Sequence, residues 1–170
     1  MHRNLNKRYE QALAYATRKH AGQVRIGGDP YITHPMAAAQ IVRAWGYGIP
    51  YQIAALFHDL LEDTDATEAE LCEIGGKRVL QAVRRLTKTA GYTMPAYVRG
   101  IRANKMARVV KAADRLHNLR CATVASESFR RRYVEESMQW YLDLSPDILP
   151  AVKALEKTLP TDPSDTPAPS

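Results

Sequence analysis

Apolar residues return at helical spacing along almost the whole chain: Leu5, Tyr9, Leu13 and Ala16; Met36, Ala39 and Val42; then Ile53, Leu56, Leu60 and Leu61. A period of three to four residues lines such side chains along one helix face, whereas a half-buried strand alternates at every second residue. Alternating runs are almost absent, so the pattern predicts an all-α fold. Breakers cut it at AGQVRIGGDP (21–30), WGYGIP (45–50), DTDAT (63–67), GG (75–76) and TAGYTMP (89–95). Helices are thereby predicted over 5–20, 35–45, 51–63, 68–74, 76–88, 95–103, 105–123, 127–143 and 147–158. Thr67 with Glu70 three residues later has the form of a capping box, which starts a fresh helix after the loop.

A chain of 170 residues with 45% hydrophobic content suffices for one domain with its own core. We expect that domain over residues 1–159. A flexible tail is expected over 160–170, where PTDPSDTPAPS offers no large apolar side chain to bury. No stretch is apolar enough to span a membrane, and the polar start MHRNLNKRYEQ lacks the core of a secretory signal. A cytoplasmic protein without a membrane partner is the expectation. Cys72 and Cys121 have neither CxxC spacing nor a disulfide framework around them, and two buried or inert thiols are expected. The formal charge of +6 favours an anionic partner. Its basic residues are scattered and lack the interleaved aromatics of a single-strand platform, which points to nucleotide phosphates rather than a nucleic acid polymer. Monomer and homodimer both remain open.

The densest chemistry lies in AALFHDLLEDT (54–64), where His58, Asp59, Glu62 and Asp63 interrupt an apolar helix. On a continuous helix His58 would stand above Glu62, with Asp59 beside Glu62 and Asp63, so that one face carries an imidazole and three carboxylates. Bunched carboxylates repel and are best tolerated around a proton or a cation, and a divalent metal is the natural candidate. A second group sits in VVKAADRLHNLR (109–120): Asp114 follows a small apolar run on a helix that should be largely buried, and Asp is rarely buried unpaired. Asn118 shares its face, and His117 is either a partner of a ligand or a packing histidine. In YITHPMAAAQ (31–40), Thr33 or His34 can cap a helix whose first turn suits Pro35.

Taken together, His34, the dyad His58-Asp59 and Asp114 resemble the H…HD…D signature of the HD superfamily of metal-dependent phosphohydrolases. The words HAGQVR (20–25), DPYITHP (29–35), AALFHDLLEDT, RLTK (85–88) and KAADRLHNLR (111–120) are similar to the hydrolase domain of RelA/SpoT-type alarmone enzymes. The likeness runs from about residue 9 to residue 125, and the chain has the size of small alarmone hydrolases. It implies a single HD-domain helical bundle in which His34, His58, Asp59 and Asp114 ligate one divalent ion, typically manganese. A mixed imidazole and carboxylate set suits such an ion, which brings a bound water toward neutral pKa. The resemblance further makes Glu62 and Asp63 the catalytic acids and puts Arg25, Lys88, Arg115 and Asn118 near the nucleotide. The reaction implied is hydrolysis of the 3′-pyrophosphate of an alarmone such as (p)ppGpp, or an adenine analogue, with release of pyrophosphate. Two departures loosen the base specificity: Ile26 stands where relatives carry lysine, and Cys121 where many carry threonine. Other HD phosphohydrolase substrates, such as a nicotinamide cofactor 2′-phosphate or a deoxynucleotide, therefore stay open, as does a non-catalytic nucleotide-binding regulatory module.

Overall fold

The segment Ile49–Phe57 is apolar on every side, and a helix of that kind must be enclosed by others. In the computed structural model, which describes residues 2–160, it is the central rod α3. Around it lie α1 (His2–Lys19), α2 (Thr33–Ala44), α5 (Glu68–Gly75), α6 (Lys77–Leu86) and α8 (Lys105–Cys121). A single turn, α4 (Leu60–Asp63), follows α3, and α7 (Met94–Arg102) packs on α6 and α8. Helices α9 (Glu127–Trp140) and α10 (Ile148–Glu156) close the far side of α8. Among the described residues there is no strand, only an isolated antiparallel bridge between Val24 and Pro30. The all-α expectation holds, and the tail expected over 160–170 falls, from residue 161, outside the described residues. Among the described residues no helix is long and apolar enough to cross a membrane.

Ala54, Ala55, Leu56 and Phe57 are all fully buried. Each large apolar side chain enclosed this way stabilises the fold by about 1.5–3 kcal/mol. Small residues let α2 and α8 approach α3 closely: Ala38 and Ala39 on α2, Ala112 and Ala113 on α8. Trp45, Tyr47 and Trp140 pack partly buried on this core and Tyr141 is fully enclosed.

Several helix boundaries depart from the sequence expectation. Helix α2 begins at Thr33 rather than 35, and neither Thr33 nor His34 caps it. The backbone turns at Pro30 and Tyr31, whose carbonyls accept from the N–H groups of Thr33 and His34. His34 thus lies inside the first turn with its side chain buried, and Pro35, lacking an N–H, falls where a helix leaves donors unpaired. The helix expected over 51–63 is broken: α3 stops at Phe57, and Asp59 (φ −102°, ψ −4°) precedes the new turn α4. Glu62 N–H donates three residues back to the Asp59 carbonyl, as in a tightened turn. The long helices expected to 123 and 143 likewise end earlier and continue as 3-10 turns at Ala122–Val124 and Leu142–Leu144.

The capping box at α5 is present, with Thr67 and Glu70 bonded reciprocally. Tyr15 OH also donates to Glu70 Oε2 at 2.9 Å, so the cap ties α5 to α1. These bonds, the Thr67 N–H first among them, hold the Glu70 carboxyl at about 2. A depressed carboxyl contributes stability above its unfolded value near 4.5 and loses it as the folded group protonates. The urea midpoint of the native chain should therefore exceed that of Glu70→Gln above about pH 4.5, and the difference should close as pH falls toward 2. At the α5–α6 corner, a Cβ on Gly75 would stand 2.7 Å from Val79 Cγ1 and 3.3 Å from Phe57 Cε2. Gly75→Ala should cost about 1–3 kcal/mol by overpacking, read as a lowered thermal midpoint.

A candidate metal centre beside two joined cavities

The break after α3 decides how the dyad is presented. Consecutive side chains on a regular helix diverge by about 100°. Here, by contrast, His58 Nε2 comes to 2.9 Å from Asp59 Oδ2. The imidazole is held from behind, because His58 Nδ1 lies 2.7 Å from the Ala55 carbonyl, which only accepts. Nδ1 therefore carries the proton in the neutral ring, and the Nε2 lone pair faces the cluster. His58 Nε2 is buried and makes no hydrogen bond of good geometry.

Helix α2 delivers His34 and helix α8 delivers Asp114 to the same point. His34 Nε2 is 3.0 Å from Asp114 Oδ1 and 4.0 Å from Asp59 Oδ2, and His58 Nε2 is 3.6 Å from Asp114 Oδ1. Ligand atoms of His34, His58 and Asp59 all lie within 4.8 Å of one another, as three donors of one small cation do. Asp114 stands against two of the three. Each of the four has an orienting partner: Tyr31 OH donates to Asp59 Oδ2 at 2.6 Å, and His34 Nδ1 meets His117 Nδ1 at 2.7 Å. Asp114 receives Lys111 Nζ on Oδ2 at 2.9 Å and Asn118 Nδ2 on Oδ1 at 2.8 Å. Outer partners of this kind fix the direction of metal ligands.

Burial alone would raise the Asp114 carboxyl, but the Lys111 ammonium and the imidazoles of His34 and His58 hold it well below the carboxylate range. Asp59 is drawn down to about 2 against its burial, chiefly by the charge of His58. His58 in turn is kept well above the ordinary histidine value by Asp59 and Asp114, although burial acts the other way. Burial dominates at His34, which is lowered. A largely enclosed cluster of two carboxylates and two imidazoles, one with an unbonded nitrogen, has the donor set of a cation site, and the mixed nitrogen and oxygen donors fit a divalent metal such as manganese, zinc or iron.

Glu62 and Asp63, on the new turn α4, line the same polar cavity of about 280 Å³ as His58 and Asp59. Burial raises both carboxyls; at Glu62 the Lys88 backbone and charge oppose it, and at Asp63 the Asp59 carboxylate adds to it. Lys88 lines the cavity too, its ammonium over the rings of Tyr92 and Tyr97. Arg115 is in the wall but committed: its guanidinium lies 4.0 Å from the Tyr133 ring and 4.3 Å from that of Tyr141, and it pairs with Glu136 at 2.7 Å.

A second, mostly apolar chamber of about 530 Å³ opens alongside, sharing Tyr31, Asn118 and Tyr133 with the first. Its rim is the tight turn 24–30, where Gly28 takes φ +89° and Arg25 N–H donates to the Asp29 carbonyl. Arg25 Nη2 donates to Asn118 Oδ1 at 2.9 Å, so Arg25, Asn118 and Asp114 form one chain between the chambers. Ile26 projects into solvent at 70% exposure beside Val24 and Val124. Of the two thiols expected to be buried or inert, Cys72 is half-buried and Cys121 is exposed, lines this chamber and lies 3.5 Å from His117 Nε2.

Lys111, Tyr31 and the Gln23 amide, which donates to the Asp63 carbonyl at 2.9 Å, were not singled out from the sequence. For Lys111 a signal was available, because a lysine three residues before a buried Asp on one helix is placed to pair with it.

The sequence profile of the HD domain family matches residues 12–146. Among curated relatives, the probable GTP pyrophosphokinase of Mycobacterium leprae is 34% identical over 139 residues, covering 76% of this chain and 18% of its own. The bifunctional (p)ppGpp synthase/hydrolase SpoT of Escherichia coli is 35% identical over 150 residues, covering 82% and 21%. The chain spans about a fifth of the length of these relatives. A solved structure described as a metazoan ortholog of SpoT that hydrolyzes ppGpp superimposes with a TM-score of 0.75 at 23% identity, over 88% of this chain and 94% of that one, which is a likeness of fold. Lys111→Met removes one partner of a buried ion pair and should destabilise the chain by about 3 kcal/mol in chemical unfolding at neutral pH. A loss under about 1 kcal/mol would mean that Asp114 is neutralised by its other neighbours alone.

Proposed function

The chain belongs to the HD domain family, and from that premise we propose that it is a metal-dependent phosphohydrolase that removes the 3′-pyrophosphate of a nucleotide alarmone. The observation that carries the reading is the convergence of His34, His58, Asp59 and Asp114 beside a polar cavity that holds two raised carboxyls and opens into an apolar chamber. In the proposal these four residues hold one divalent ion, manganese in the first instance. When bound, the ion supplies positive charge against the phosphate and brings a water close to neutral pKa.

The remaining steps belong to the chain. Glu62 and Asp63, whose carboxyls burial lifts, orient the attacking water and take its proton. The water oxygen bonds to the phosphorus nearest ribose O3′, the P–O3′ bond breaks, and the proton ends on O3′ as pyrophosphate leaves. Lys88, held over two tyrosine rings, is placed to pair with phosphoryl oxygens. The apolar chamber takes the nucleoside, with Arg25 and Asn118 at the junction where ribose and phosphate would lie. Arg115 contributes through the wall it braces. The relatives named for (p)ppGpp synthesis and hydrolysis support guanosine as the base. The exposed apolar rim at Val24, Ile26 and Val124 offers a base edge no side-chain donor or acceptor, which favours a second reading with a different nucleotide, an adenine alarmone or another nucleotide bearing a 2′ or 3′ phosphate.

A manganese-supplemented assay with guanosine and adenosine 3′-pyrophosphate substrates should release pyrophosphate rather than orthophosphate. Glu62→Ala or Asp63→Ala should lower kcat by about 10²–10⁴ with substrate binding retained. Unchanged turnover in either variant would remove that residue from the mechanism, and orthophosphate release from a dinucleotide 2′-phosphate alone would select the second reading.

A further inference from the structure

His117 stands three residues beyond Asp114 on α8, its ring edge to edge with that of His34, centroids 5.0 Å apart and planes inclined by 28°. The two Nδ1 atoms are 2.7 Å apart, a separation that two bare lone pairs do not adopt, so one nitrogen donates to the other. There are two arrangements. If His117 donates, the His34 proton is on Nε2 and points at Asp114 Oδ1, leaving His34 no lone pair toward the cluster. If His34 donates from Nδ1, its Nε2 lone pair faces His58, Asp59 and Asp114, and the 3.0 Å to Asp114 Oδ1 is the separation of two ligand atoms that share a cation. The proton of His117 then sits on Nε2, 3.5 Å from the Cys121 sulfur, which can accept it.

We infer that His117 is a positioning residue: by accepting the Nδ1 proton of His34 it selects the tautomer that turns Nε2 toward the ion, and it fixes the ring plane. The inference rests on the metal-site reading above. His58 and Asp59 have the backbone carbonyl of Ala55 and the hydroxyl of Tyr31 behind them, so His117 completes the set as the partner of His34. His34 is 1% exposed, and without an acceptor its Nδ1–H would be buried unpaired, which favours moving the proton to the wrong nitrogen.

The test compares His117→Asn with His117→Leu in the full chain, two side chains of nearly the same shape of which only the amide offers an oxygen where Nδ1 stood. Manganese chloride is titrated calorimetrically into each metal-free protein, with the thermal midpoint recorded alongside. His117→Leu should weaken manganese binding about 10–100-fold, and His117→Asn should keep most of the affinity. His117→Phe, which keeps a planar aromatic ring at this position and offers no acceptor, should behave as the leucine variant and serves where leucine does not fold. Native affinity in the leucine or phenylalanine variant, or equal losses in asparagine and leucine, overturns the inference. His34→Ala separates the two readings: if it binds manganese as the native chain does, the metal site itself is misplaced. If it loses the ion while His117→Leu keeps it, only the role of His117 fails.

Discussion

A carboxylate at the junction of three helices sets the terms for everything around it. Asp114 lies almost fully enclosed on α8, where α2 and α3 meet it. A charge in that position must be compensated: Lys111 and Asn118 of its own helix donate to it, and the imidazoles of His34 from α2 and His58 from the end of α3 face it. The small residues Ala38, Ala39, Ala112 and Ala113 are the packing counterpart, because only close helix approach lets side chains this short reach one another. The hydrophobic core and the polar cluster are therefore one construction, and a change in helix spacing would be felt in both.

The two chambers follow from the same helix. Asp114 and Lys111 face the polar cavity, Cys121 faces the apolar one, and Asn118 lies between them with an amide that accepts from Arg25 and donates to Asp114. The division of labour along about two turns of α8 matches a ligand with a charged end and a flat apolar end. The turn 24–30 adds the outer wall, and the Gln23 amide fastens that turn to the backbone of Asp63.

Most helices were legible because amphipathic period and breakers report local preference and burial together. The stop at Phe57 was not, since Leu60 and Leu61 continue the apolar rhythm of Ile53 and Leu56 straight through it. Periodicity registers which residues are apolar; it does not register that His58 and Asp59 must point the same way. The start of α2 was misread for a related reason: its first donors are satisfied by the carbonyls of Pro30 and Tyr31, and backbone acceptors leave no mark in the sequence. The candidate ligands were legible as a set through the likeness to the H…HD…D signature; singly, His34 and Asp114 each have an ordinary structural reading. Their supporting partners were less so, since Tyr31 and Lys111 look like ordinary interfacial side chains until the fold brings them to Asp59 and Asp114.

The kink between α3 and α4 has a consequence for selectivity. Two of the four converging groups come from adjacent residues, so their separation is set by main-chain torsions at Asp59 and by the carbonyl of Ala55 behind the imidazole, not by the reach of flexible side chains. Toward the ion proposed above, the dipeptide would act as a chelate whose bite is set by that turn. Such a ligand discriminates between cations by radius, and its preference would be retuned by altering the backbone of a single turn while every donor atom stayed the same.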